Sequence, residues 1–142
     1  MNMDFEMEKV YSPQAIEDKL YKQWEESGAF EARRVKGKKP FTIVMPPPNI
    51  TGQLHMGHAM DCLLQDAPIR YHRMKGDPTL WLPGTDHASI ATEVKIVEQM
   101  KKEGVTKEQI GRDGFLERAW RWKAEYGGRI NRQQRRLGAS CD

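Results

Sequence analysis

The sequence predicts an α/β chain, helix-rich, with parallel strands joined by crossover helices. Three observations predict it. Phe41 to Met45 and Pro78 to Leu82 are short apolar runs bounded by proline or glycine, which is the pattern of buried strands. The stretch between them is long and periodic enough for one helix. A strand–helix–strand order of that length implies parallel strands with a right-handed crossover. Both carboxyl ends then lie at one edge, where α/β sheets bind ligands.

Taken in order, Met1 to Val10 is a polar lead-in, expected to be mobile. Ser12-Pro13 reads as an N-cap followed by proline at the first helical position, and Ile16, Leu20, Tyr21 and Trp24 follow at helical spacing. A helix over Pro13 to Ser27, stopped by Gly28, is expected to pack on the sheet. Residues 33–39 form a basic loop, either solvated or touching phosphate.

The first strand must end at Pro46-Pro47-Pro48, because proline cannot donate to the ladder. Gly52 and Gly57 then allow close approach of another group. The helix that follows runs to Lys75, with Ala59, Leu63, Ile69 and Met74 on a buried face and Gly76 as its stop. Pro68 costs this helix ~3 kcal/mol and is expected to kink or interrupt it. Its start offers unpaired N–H groups and a positive dipole end, suited to a phosphate, with His55 and His58 on either side.

Pro83-Gly84 ends the second strand, so Thr85-Asp86-His87 falls at its carboxyl end, beside the loop bearing Asn49 and His55. Ile90 to Lys102 reads as a helix that Ser89 can cap and Gly104 ends. Thr106 to Gln109 has capping-box spacing and starts a short helical turn. Asp113 then caps a helix with Phe115, Leu116, Ala119 and Trp122 inward, ended by Gly127-Gly128. A last helix spans Ile130 to Leu137; Arg129, Arg132, Arg135 and Arg136 make it a solvated face or a nucleic-acid surface.

The 142 residues are 38% hydrophobic and 30% charged, enough for one domain with a core, and the net charge of +3 permits a polyanionic partner without requiring one. Two cysteines, Cys62 and Cys141, make no disulfide framework and fit a reducing, cytoplasmic setting. No apolar run is long enough for a membrane span, and no repeat is present.

Two strings carry a resemblance. The first is Pro46-Pro47-Pro48-Asn49-Ile50-Thr51-Gly52-Gln53-Leu54-His55-Met56-Gly57-His58. Its last four residues match the His-x-Gly-His signature of class I aminoacyl-tRNA synthetases, and the whole string resembles the valyl-tRNA synthetase family. The second is Trp81-Leu82-Pro83-Gly84-Thr85-Asp86-His87-Ala88, followed by Ile90-Ala91-Thr92. Leucyl and isoleucyl enzymes carry different residues around both strings, and the resemblance extends from about Tyr11 to Asp142.

The resemblance implies a Rossmann-like fold. Residues 1–40 would be an amino-terminal helix and basic loop, and residues 41–142 the first half of the catalytic domain. The family's Lys-Met-Ser-Lys-Ser loop, editing domain and anticodon-binding helices are not in this sequence, so it is expected to be an amino-terminal fragment, inactive or very weak alone.

The implied activity is ATP-dependent activation of valine, with Mg2+ accompanying ATP, and transfer to valine tRNA. In it His55 and His58 are catalytic and contact the phosphates. Asn49, Thr51 and Gly57 complete the ATP site, Gly57 as a bare patch for adenine. Pro46, Pro47 and Pro48 wall the amino-acid pocket with Asn49, and Asp86 pairs the ammonium group. Three positions depart from the family pattern: Pro68, Ser89 where glycine is common, and Glu93 where glutamine is frequent.

Two alternatives stay open. A non-catalytic paralogue would keep the same pocket for nucleotide or tRNA. A metal site would instead use His55, His58 and Cys62, with His87 or Asp86 as fourth ligand.

Overall fold

The computed structural model describes residues 9–142, so most of the expected lead-in lies outside the described residues. Among them the order is α1 (Pro13–Glu26), β1 (Phe41–Val44), α2 (Met56–Met74), β2 (Thr79–Leu82), α3 (Ser89–Lys102) and α4 (Lys107–Arg136). β1 and β2 pair in parallel with Phe41 opposite Thr79 and Val44 opposite Leu82, as the βαβ reading requires.

Alternation decides which strand residues meet the core. Met45 and Trp81 are buried and Phe41 and Ile43 half-buried, whereas Val44 and Leu82 face outward. Trp81, wholly buried, packs with Met45, Ile69, Cys62 and Ala139, so α2 lies on the sheet through Cys62 and Ile69. Cys62 is a core residue, its thiol pushed up to about 11, chiefly by burial. Leu63 and Met74, expected inside, are exposed.

The helix α2 runs without interruption through Pro68. Its far end is closed by a left-handed Gly76, whose amide bonds to Arg73 while that of Asp77 bonds to His72. Lys38 of the basic loop donates to the Gly76 carbonyl at 2.6 Å, complementing the negative end of the helix.

Three expectations about the remaining helices fail. First, α1 packs on α4 rather than on the strands. Tyr21 donates to the Ala139 carbonyl at 2.8 Å, and Tyr21, Trp24 and Phe30 form an aromatic cluster capped by Arg70 over Trp24 and Arg73 over Phe30. Second, Gly127-Gly128 does not end a helix. The break in α4 is at Gly111, the one point with non-helical backbone (φ 62°, ψ −173°), after which helix continues to Arg136. The Thr106–Gln109 capping box is present, with the Thr106 amide donating to the Gln109 side chain at 2.8 Å. Third, Ser89 does not cap α3; Ala88 holds that position.

Arg129, Arg135 and Arg136 are ion-paired with Glu125, Glu25 and Asp18. Arg135 and Arg136 line the α1–α4 groove, of about 510 Å³, together with their partners Glu25 and Asp18.

A polar network fastens α2 to the carboxyl-terminal residues. Asp66, buried, accepts from Arg70 at 2.9 Å and from the Ser140 hydroxyl. Arg73 donates to the Ser140 carbonyl, the Phe30 carbonyl and the Asp142 carboxylate at 2.6, 2.9 and 3.1 Å.

Because α2 tolerates Pro68 in place, the Leu64 carbonyl has no i+4 amide to accept from. Replacing Pro68 by alanine restores that bond. Stability should rise by about 2 kcal/mol, the ~3 kcal/mol helix cost less the ~1 kcal/mol by which proline restricts the unfolded chain. The midpoint of urea unfolding measures this; an unchanged or lowered midpoint would show that the helix has adapted to proline.

Candidate active site

The three prolines offer no amide to the ladder, yet the two strand ends stay together. Met45 donates to the Leu82 carbonyl at 2.9 Å, and pairing then resumes beyond the prolines. The Asp86 amide donates to the Pro48 carbonyl and the Ile50 amide to the Asp86 carbonyl, both at 2.9 Å, making a parallel bridge between Asn49 and Asp86. Gly84 lies beside Pro47, where an added Cβ would make an ordinary van der Waals contact, 3.7 Å from the Pro47 Cβ. The loops carrying the two strings thus meet at one edge, as the sequence predicts.

A cavity of about 500 Å³ opens there, lined by Pro46, Pro47, Pro48, Asn49, Thr51, Gly57 and both histidines. Asp86 does not line it; it stands beside it, exposed, joined through the bridge. Its Oδ1 accepts the Ala88 amide at 2.8 Å. Ala88 has φ 45° and ψ 57°, a left-handed conformation that costs a non-glycine residue roughly 1–2 kcal/mol. Thr92 helps to hold it, bonding to the carbonyls of His87 and Ala88 at 2.6 and 2.9 Å. Strain of this kind concentrates at functional sites.

The histidines close the start of α2 on themselves. His55 is the N-cap, and its Nδ1 accepts the Gly57 amide at 3.1 Å. His58, one turn on, accepts the His55 amide at its own Nδ1, at 3.2 Å. A backbone amide can only donate, so both Nδ1 atoms carry lone pairs and both neutral rings bear their proton on Nε2. The rings sit 4.0 Å apart, tilted by 52°.

This alters the expected anion site. The Gly57 amide is used by His55, and the His58 amide bonds to the His55 carbonyl. The donors on offer are then chiefly imidazole Nε2–H groups rather than first-turn amides. Gly57 is bare here because His55 needs the space: a Cβ would lie 3.0 Å from the ring's Cε1.

The metal alternative gains nothing. Cys62 lies in the core, and among the described residues no group of three or more His, Cys, Asp or Glu side chains is placed to hold an ion.

Sequence reasoning missed three residues. Asp61 lines the cavity and is held by Gln65, which donates to it at 2.8 Å and accepts from the Trp81 indole at 3.0 Å. Trp122 donates from its indole to the Ile50 carbonyl at 2.7 Å. Gln133 bonds both backbone groups of Leu54. The inward spacing of Trp122 was a signal; nothing in the sequence pattern marked the other two.

Burial, then the neighbouring His55, lowers the His58 pKa below its ordinary 6.5, against an opposing pull from Asp61. The folded state therefore favours neutral His58. Its contribution to stability is present above pH 6.5 and is lost as pH falls through the depressed value. An NMR titration should place the His58 imidazole below 6.5, with amide protection at His55 falling in step as Nδ1 gains a proton. Titration above 6.5 would overturn the arrangement.

Comparison with known proteins gives the family and the fold. Residues 19–142 match the model of the tRNA synthetases class I (I, L, M and V). The chain is 59% identical over 140 residues to a valine–tRNA ligase of Carboxydothermus hydrogenoformans, covering 99% of this chain and 16% of that protein. It is 58% identical over 137 residues to a valine–tRNA ligase of Clostridium acetobutylicum, covering 96% and 16%. The chain thus spans about a sixth of the length of these relatives. A LeuRS of Agrobacterium radiobacter K84, solved as a ternary complex with tRNA and LeuAMS, superposes with a TM-score of 0.73 at 18% identity, over 93% of this chain and 15% of that one. That likeness shows the fold: the parallel strands and helices form the amino-terminal part of a Rossmann-like synthetase domain. Matched over nearly its whole length, the chain belongs to the tRNA synthetases of class I.

Proposed function

We propose that the protein carrying this chain is a valine–tRNA ligase, and that residues 41–142 form the first half of its catalytic domain. The reading is supported above all by one observation. The proline loop and the histidine pair line one cavity, with Asp86 bridged to its edge, in a chain 59% identical to a valine–tRNA ligase.

The reaction would join the valine carboxylate to the α-phosphorus of ATP, with pyrophosphate leaving, and the acyl group would then pass to a terminal hydroxyl of valine tRNA as the acyl–phosphate bond breaks and AMP leaves. ATP enters as its Mg2+ complex, the ion reducing charge repulsion among the phosphates. No covalent nucleophile is required of the protein, so its work is positioning and offsetting the charge that develops.

In this scheme His55 and His58 donate from Nε2–H to the phosphate oxygens. Asn49 and Thr51 contact the nucleotide, with Gly57 keeping the His55 ring close. The prolines, with Asn49, wall the valine side chain. Asp86 has Oδ1 engaged by Ala88 and offers Oδ2 to the ammonium group. The reaction is placed in the cytoplasm, in keeping with two free cysteines; among the described residues no helix is long and apolar enough to cross a membrane.

The test is valine-dependent ATP–pyrophosphate exchange by the full-length protein and its His58→Ala variant. The parent should catalyse exchange. The variant should lose roughly two to three powers of ten in rate, as when one transition-state donor is removed, with a smaller change in ATP affinity. A parent that binds ATP and valine without exchange would be the non-catalytic paralogue; a variant as fast as its parent would strip His58 of the role.

A further inference from the structure

We propose that Gln133 of α4 is a positioning residue for the histidine pair, acting through the backbone of Leu54; the proposal rests on the reading of the site given above.

Leu54 is the residue that delivers the chain into His55. Both of its backbone polar groups are held by one side chain: the Leu54 amide donates to Gln133 Oε1 at 2.8 Å, and Gln133 Nε2 donates to the Leu54 carbonyl at 3.3 Å. An amide side chain pairs with a peptide in this way as a strand neighbour would. Two bonds from one planar group fix the peptide's direction as well as its distance.

The same helix holds the loop elsewhere. Trp122 bonds the Ile50 carbonyl, Ile50 itself is 2% exposed, and Gln134 donates to the Met45 sulfur at 3.1 Å. The loop from Met45 to Leu54 is thus tied along α4. Gln133 makes the tie nearest the histidines and the one that engages a donor and an acceptor together.

His55 in turn sets His58, because the His55 amide donates to the His58 ring. A rotation at Leu54 would swing that amide and release the second imidazole with the first. Only a side chain that both donates and accepts can replace Gln133. Glutamate keeps the acceptor for the Leu54 amide and loses the donor; methionine keeps the length and loses both.

The experiment compares the full-length protein with Gln133→Met and Gln133→Glu. Exchange kcat should fall roughly tenfold to 100-fold in Gln133→Met, as for misplaced catalytic groups, and less in Gln133→Glu, with KM for ATP within about threefold of the parent. The imidazole 15N spectrum gives a readout that a merely structural role would not move. The parent should show a single Nε2–H tautomer at His55 and His58, and Gln133→Met a tautomer mixture at both. A variant with a lowered Tm but kcat within about twofold of the parent, or with unchanged imidazole signals, overturns the proposal. A parent without exchange refutes the functional reading instead, and the imidazole spectra then decide the role of Gln133 alone. Should Gln133→Met fail to fold, the isosteric Gln133→Glu carries both measurements.

Discussion

Pro46, Pro47 and Pro48 set the terms for the rest of the chain. Met45 makes the last bond of the parallel ladder, and Pro47, the next residue in register to donate, has no N–H, so the regular ladder stops there. Pairing resumes beyond the prolines at Asn49 and Asp86. The cavity lies on the β1 side of that bridge, lined by the prolines, the loop after them and the first turns of α2.

The gap has a cost in unpaired backbone, and α4 meets part of it. Beyond the bridge, the Ile50 carbonyl and both polar groups of Leu54 find partners in Trp122 and Gln133 rather than in a strand. This explains why α4 must run on through Gly127-Gly128. Two interior glycines disfavour helix by about 1 kcal/mol each. Trp122 lies on one side of the pair and Ile130, Gln133 and Gln134 on the other, and all are needed along one continuous rod. Ending the helix there on propensity overlooks tertiary contacts from residues more than 70 positions away, which no local pattern encodes. Gln133 and Gln134 of this helix turn inward for the same reason, bonding to Leu54 and Met45 of the loop.

The other end of α2 is pinned with equal care. Arg73 gathers a carbonyl from the α1–β1 connection, a carbonyl and hydroxyl at Ser140, and the Asp142 carboxylate. A planar guanidinium serves diverging acceptors that a single ammonium could not. Burial lowers the Arg73 pKa, and Asp142 opposes that shift. Arg73 fixes α2 at its carboxyl end and the histidine box closes its start, and the helix is continuous through Pro68 between them. The strands, the long helix and the convergence of two loops were readable from apolar runs, prolines and glycines. The continuity through Pro68 was not, because local propensity argues against it and tertiary anchoring is not written in a local pattern.

The histidine pair marks the other limit of legibility. His-x-Gly-His announced itself as a string, but capping preferences name Ser, Thr, Asp and Asn, so a helix start closed by two imidazoles had no local signal. The difference matters for the chemistry proposed. Free first-turn amides would meet the phosphates with the standing field of the helix, favouring bound ATP as much as the transition state. Neutral imidazoles give a directed Nε2–H and no full charge. Burial and the neighbouring His55 hold His58 toward the neutral form. Interactions of this sort strengthen as negative charge accumulates on the oxygen they face, which is the condition for raising kcat rather than tightening ground-state binding. By taking the Gly57 and His55 amides for itself, the capping box leaves imidazole Nε2–H groups at the helix start, the arrangement on which the proposed chemistry rests.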